Sequence, residues 1–173
     1  MSLPKLKKPL ILASASPRRA KLLREAGIEF EVVISEIEED KYRNYNLSPT
    51  EFTQTLALIK AEDVASRFKN KLVLGADTIV VLEGKIIGKP KDPDEAIQIL
   101  KTLSGKRHQV ITSLAIIDTK TKKKLVRHSI TVVHFREVSQ NEILNYVKFG
   151  EPLDKAGAYA IQEGARSFVE KIE

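Results

Sequence analysis

There is no cysteine among the 173 residues. Disulfides, thiolate metal sites and a cysteine nucleophile are therefore excluded, although this does not fix the compartment. Aromatic residues make up only 6% and are scattered. That argues against nucleic acid as a partner, because single-strand binders interleave aromatic and basic residues. No window approaches the roughly 20 apolar residues of a membrane span. No repeat with a period of about 20–50 residues is present, and no low-complexity linker divides the chain. Lys5, Lys7 and Lys8 precede Leu10-Ile11-Leu12, and Ala13-Ser14-Ala15 imitates a cleavage site. The apolar run is far shorter than the roughly 7–15 residues of a secretion signal. The expectation is a cytoplasmic protein with no membrane partner.

What is present is ordinary for a globular domain: 42% apolar and 30% charged residues. A chain of this length buries about two-thirds of its unfolded surface around one core. Lys and Arg number 29 against 23 Asp and Glu, a net charge of +6. That balance favours anionic partners without separating a nucleotide from nucleic acid or an acidic surface.

The most informative stretch is Leu10-Ile11-Leu12-Ala13-Ser14-Ala15-Ser16-Pro17-Arg18-Arg19. It reads as a short strand, a turn of small residues and the start of a helix. Ser16 can cap that helix, and Pro17 suits its first position. Gly27 can supply a left-handed C-cap. Arg18 and Arg19 fall in the first helical turn, where the macrodipole disfavours cations. Backbone N–H groups, the Ser14 and Ser16 hydroxyls and two guanidinium groups would suit a polyphosphate. An ordinary strand-to-helix turn with two solvated arginines accounts for the same residues.

Phe30–Ile34 reads as a strand, and Glu36–Asp40 as an acidic loop, either solvated or supplying oxygen ligands to a divalent cation. Ser48-Pro49-Thr50-Glu51 is a capping box opening a helix to about Phe68. Phe52, Leu56 and Ile59 mark its apolar stripe, and Lys60 falls on it. A lysine there snorkels to water or points its ammonium into a cleft. Leu72–Val81 is a central strand of β-branched residues interrupted by Asp77. A buried carboxylate must be hydrogen-bonded, paired or metal-bound, so Asp77 is a structural acid, a metal ligand or a general base. Gly75 and Ala76 beside it allow close approach to the backbone. Glu83-Gly84 turns a hairpin, and Gly88-Lys89-Pro90 follows it. Asp92 caps a helix ending near Gly105. His108–Asp118 and Ile130–Phe135 are strands, Ser139–Glu142 is another capping box, and Phe168–Ile172 is a closing strand. The three histidines have no metal-site spacing and read as structural or exposed.

Five ordered motifs carry a family resemblance. They are Ser14–Arg19, Gly75-Ala76-Asp77-Thr78, Gly88-Lys89-Pro90, Leu103-Ser104-Gly105 and Glu151-Pro152-Leu153-Asp154-Lys155-Ala156-Gly157-Ala158-Tyr159. Together they resemble the Maf family of nucleoside triphosphate pyrophosphatases, across almost the whole chain. The resemblance implies residues 1–173 as a single pyrophosphatase domain. The implied fold is α/β and inosine-triphosphate-pyrophosphatase-like, a long twisted mixed sheet with flanking helices and a central cleft between two lobes. Family members usually continue past Ile172 with a further segment and a final helix, so that helix is expected to be missing.

The resemblance also implies roles. Asp77 matches the proton acceptor. Ser14, Arg18, Arg19, Lys60 and Lys89 match phosphate-binding positions, with Ser16 in the same turn. Glu39 matches an acidic residue near the metal, so Glu39 and Asp77 would hold Mg²⁺ or Mn²⁺. Arg18, Thr78 and Gln162 match positions tied to base choice and resemble the branch acting on dTTP and UTP. The implied reaction is attack of water on the α-phosphorus, releasing pyrophosphate and the nucleoside monophosphate. The dipole penalty on Arg18 and Arg19, about 0.3–1 kcal/mol each, is small beside phosphate contacts. Two other readings stay open: a binding module linked to cell division without catalysis, and a house-cleaning enzyme for modified pyrimidine triphosphates. A homodimer is also left open.

Overall fold

The computed structural model describes residues 5–43, 46–150 and 152–173; Glu151, the first residue of the last motif, lies outside them. The elements in chain order are β1 (Leu10–Leu12), α1 (Pro17–Glu25), β2 (Phe30–Val32), α2 (Pro49–Ala65), β3 (Leu72–Leu82) and β4 (Lys85–Ile87). They continue as α3 (Pro93–Leu103), β5 (Arg107–Asp118), β6 (Lys124–Phe135), α4 (Gln140–Phe149) and β7 (Val169–Ile172). Single 3₁₀ turns cover Glu39–Tyr42 and much of the stretch from Pro152 to Phe168.

The strands form a seven-stranded mixed sheet in the order β2-β1-β3-β5-β6-β7, with β4 paired to β3. This is the expected α/β mixed-sheet architecture. β1 runs parallel to both β2 and β3, and the crossovers are α1 and α2. β4 pairs antiparallel with β3 through the Glu83-Gly84 turn, where both residues take positive φ. β1 is buried at all three positions, as a strand flanked on both edges must be. β2 is shorter than expected because β1 offers only three partners, and the ladder ends at Leu12 opposite Val32. β6 starts six residues earlier than expected. Its first part is mostly exposed and mixes Leu125 and Val126 with Arg127 and His128, so no period-2 apolar pattern announces it.

Contacts divide the chain into two compact units. The first comprises the described residues through Asp77 with Thr112–His128, and the second Thr78–Ile111 with Ser129–Glu173. The first has a core of Ile11, Ala13, Ala57, Ala61, Val64, Val73, Ala115 and Ile117. The second is packed around Val80, Leu100, Leu103, Val133, Phe135, Tyr159 and Phe168. Small residues dominate the first core, and Gly75 shows why. A Cβ there would lie 2.2 Å from the Ala57 carbonyl and 2.8 Å from the Ala61 nitrogen, both backbone atoms of α2. Only glycine lets α2 lie this close to β3.

In the second unit His108 is 2% exposed. Its Nε2 and the Tyr159 hydroxyl are 2.6 Å apart, and its ring stands edge-on to Phe135. Burial, with the nearby His134, pushes its pKa down to about 4. The unfolded chain takes up that proton near pH 6.5 and the folded chain does not. Stability from this residue is therefore complete above about pH 6.5 and declines as pH falls toward 4. Thermal melts at pH 7.5 and 5.5 should differ by about 2–4 °C, above the range where the carboxylates titrate. A His108→Gln variant should lose that difference. If the variant keeps the same pH dependence, the coupling lies elsewhere.

Candidate active site

Two carboxylates in the first unit meet around one ammonium group. Lys60 Nζ lies 2.9 Å from Asp77 Oδ1 and 2.8 Å from Glu39 Oε1. The local structures that bring them together come from different signals. Ser48 and Glu51 close the capping box that starts α2, so the helix register is set at its first turn. From there Thr53, Leu56, Ala57, Lys60, Ala61 and Val64 are buried as one face. The stripe is rotated from the expected one, since Ile59 is only half-buried. Along β3, Val73, Gly75 and Asp77 alternate onto one side of the strand. Gly75 admits α2, and Asp77, two residues on, then meets Lys60.

Lys60 therefore does not snorkel. Its side chain is 11% exposed and Asp77 is 8% exposed, whereas Glu39 is 46% exposed. Glu39 opens the 3₁₀ turn Glu39–Tyr42 and approaches the ammonium from the solvent side. Asp77 Oδ2 is buried and accepts no hydrogen bond from the described residues. A buried acceptor in that state is costly unless something else meets it.

Arg19 adds a second cation. Its Nη1 donates to Ser14 Oγ at 2.9 Å and to the Ala76 carbonyl at 3.1 Å. Burial lowers the pKa of this guanidinium, the charge of Asp77 opposes the shift, Arg18 adds to it and Glu39 opposes it. The Ser14–Arg19 turn is thus joined to the strand residue preceding Asp77. Ser14 is buried and Arg18 half-buried. Ser16 occupies the N-cap position of α1 but makes no side-chain cap bond, contrary to expectation. Its backbone N–H donates instead to Ser14 Oγ at 3.3 Å. The hydroxyl that gathers donors is Ser14. At the other end of α1 the expected cap is present. Gly27 N–H donates to the Arg24 carbonyl and Ile28 N–H to that of Leu23, a Schellman motif.

The remaining expected residues belong to the second unit. Thr78 is half-buried on β3, and Lys89 is exposed after β4. Gln162 is exposed in the 3₁₀ turn Ile161–Glu163. Sequence reasoning gave no role to Lys155, which is fully buried and bonds Asp154 at 2.9 Å and Glu163 at 2.7 Å. Burial lowers its pKa, but the bonds to Glu163 and Asp154 outweigh this and the net shift is upward. A lysine within a run of small residues, with acids beside it and eight positions on, was the available signal.

Among the described residues no group of three or more His, Asp or Glu side chains is placed to hold a metal. Cavities of about 450 and 460 Å³ are bordered by Arg24–Val32 residues and by the β3–β4 hairpin with Lys106–Gln109, and include neither Asp77 nor Lys60. No helix of the described residues is long and apolar enough to cross a membrane.

A family model described as Maf-like protein matches residues 9–173. A dTTP/UTP pyrophosphatase of Alkaliphilus oremlandii is 52% identical over 167 residues, covering 96% of this chain and 85% of that protein. A dTTP/UTP pyrophosphatase of Acetivibrio thermocellus is 47% identical over 171 residues, covering 95% and 84%. A solved HAM1 protein from Coxiella burnetii is 18% identical with a TM-score of 0.47, over 74% of this chain and 73% of that one. With the family match spanning nearly the whole sequence, and relatives near half identical along it, the chain belongs to the Maf family.

Proposed function

We propose that residues 1–173 form one catalytic domain that hydrolyses dTTP and UTP to the nucleoside monophosphate and pyrophosphate. The observation that carries this reading is the Lys60 ammonium held between Asp77 and Glu39, with a buried Asp77 oxygen left to accept a proton. The name shared by the relatives supplies the substrate class. Nothing observed favours a binding module without catalysis.

In this reading Asp77 is the general base. Its Oδ2 takes a proton from water as the water oxygen bonds to the α-phosphorus. The bond from that phosphorus to the α–β bridging oxygen breaks, and pyrophosphate leaves with the electron pair. Arg18, Arg19, Lys60 and Lys89 neutralise phosphate charge, and Ser14 and Ser16 contribute hydrogen bonds from the turn before α1. Two carboxylates, one with a buried oxygen that receives no donor, fit a hard cation whose remaining ligands are water and phosphate oxygens. Asp77 and Glu39 would hold Mg²⁺ or Mn²⁺, which when bound neutralises phosphate charge and polarises the phosphoryl oxygens. Arg18, Thr78 and Gln162 read the base.

Hydrolysis of dTTP in ¹⁸O-labelled water should place the label in the monophosphate and leave pyrophosphate unlabelled. Nucleoside diphosphate and inorganic phosphate as first products would refute attack at the α-phosphorus. A panel that adds modified pyrimidine triphosphates separates a house-cleaning role from hydrolysis of the ordinary nucleotides.

Asp77→Asn keeps the side-chain volume and an acceptor for Lys60 but cannot take the proton. Turnover should fall by about 10²–10⁴ with the thermal midpoint close to that of the parent. Turnover within a few-fold of the parent would make Asp77 structural.

Uracil and thymine present an N–H between two carbonyls, which a glutamine amide can meet with its acceptor and its donor. A carboxylate cannot donate, and suits the paired donors of guanine instead. Gln162→Glu should therefore shift the kcat/KM ratio from dTTP and UTP toward GTP and 7-methylguanosine triphosphate by about one to two decades. Unchanged ratios would remove Gln162 from base reading.

A further inference from the structure

Outside the residues given roles above, one carboxylate ties the Glu39 segment to α2. Asp63 follows Lys60 by three positions on that helix, so the two are neighbours about one turn apart. Its Oδ2 accepts from the Glu36 backbone N–H at 2.9 Å, the Ser35 hydroxyl at 3.0 Å and the Arg67 guanidinium at 2.7 Å. The Ser35 hydroxyl in turn accepts from the Ile37 N–H at 3.4 Å. An Asp–Arg pair one turn apart is by itself an ordinary helix-surface contact. The bonds to Ser35 and Glu36 are different, because they cross 28 and 27 residues of chain. The nearer of them ends three positions before Glu39, the first residue of its turn. The Glu36 N–H, ahead of the other donors, holds the Asp63 carboxyl below its usual range, so it stays a charged acceptor at neutral pH.

The geometry points to Asp63 as a positioning residue: it clamps Ser35 and Glu36 to α2 one turn from Lys60, and so sets where Glu39 meets the Lys60 ammonium. This rests on reading the Asp77–Lys60–Glu39 cluster as catalytic. A half-exposed glutamate at the end of a loop has many rotamers and a movable backbone. Fixing the segment just upstream lowers the entropy lost in holding its carboxylate on one partner.

The test is a double-mutant cycle with a structural readout beside it. Asp63→Ala should lower kcat for dTTP about ten- to a hundred-fold in the parent. The same change in a Glu39→Gln background should cost less than about twofold, because the group it positions is already disabled. Asp63→Asn keeps one acceptor for the Glu36 N–H and should recover most of the loss. In amide exchange, Asp63→Ala should speed the Glu36 amide about tenfold or more while β3 amides stay as protected as before. If Asp63→Ala unfolds the chain, Ser35→Ala in the same two backgrounds replaces it, with a smaller loss expected only where Glu39 is intact. Equal losses in both backgrounds, no loss in either, or an unchanged Glu36 amide would overturn the assignment. A parent that releases no pyrophosphate from dTTP or UTP refutes the proposed function instead, and the exchange measurement then decides the positioning role alone.

Discussion

Asp77 lies buried inside the first unit, where a carboxylate needs a bonding partner. Lys60 is that partner, and much of the local structure follows from the need to deliver it. Leaving a charged carboxylate buried and unpaired costs several kcal/mol, more than most single packing contacts return. Pairing demands that α2 come within side-chain reach of β3 at one position. The absence of a Cβ at Gly75 and the alanines at 57 and 61 bring the helix backbone against the strand. A larger residue at any of the three would raise α2 off the sheet and stretch the Lys60–Asp77 bond first.

The three members of the cluster differ in how they meet water. Asp77 and Lys60 are nearly closed off, and Glu39 is about half open. Interaction with the ammonium is therefore strong for Asp77 and screened for Glu39. The buried bond holds the geometry, and the open one can be exchanged at small cost when another anion approaches. In the proposed mechanism that asymmetry lets Lys60 hold Asp77 in place and still offer a face to an incoming phosphate. It also explains why the Glu39 segment needs an anchor of its own through Asp63.

Much of this was legible in the sequence wherever one residue type answers one local requirement. β1, the α2 capping box, the Glu83-Gly84 hairpin and the burial of Asp77 all follow from short-range rules. The misses need partners distant in sequence. Lys60 reads either as a snorkelling lysine or as an ammonium aimed into a cleft, and the choice needs the carboxylates from β3 and the Glu39 turn that converge on it. Ser16 has the right identity and position for an N-cap, yet its side chain makes no cap bond and its own N–H goes to Ser14. The first half of β6 lacks an apolar period because its side chains are mostly exposed. Asp63 and Lys155 look like surface charges, and only tertiary contacts distinguish them from the rest.

Arg19 meets burial in a different way from Lys60. At this position burial is the main penalty on a cation; the charges of Asp77 and Glu39 oppose it and that of Arg18 adds to it. A second lysine in this place would respond by losing its proton, since an ammonium shifts readily when buried. A guanidinium starts so high that a downward shift still leaves it charged at neutral pH. Its Nη1, fixed in the guanidinium plane, donates to both Ser14 Oγ and the Ala76 carbonyl. The chemistry therefore divides between the two residue types. Lysine serves where a carboxylate compensates its charge directly, as at position 60. Arginine serves at position 19, where Nη1 bonds a hydroxyl and a carbonyl and the positive charge must survive burial.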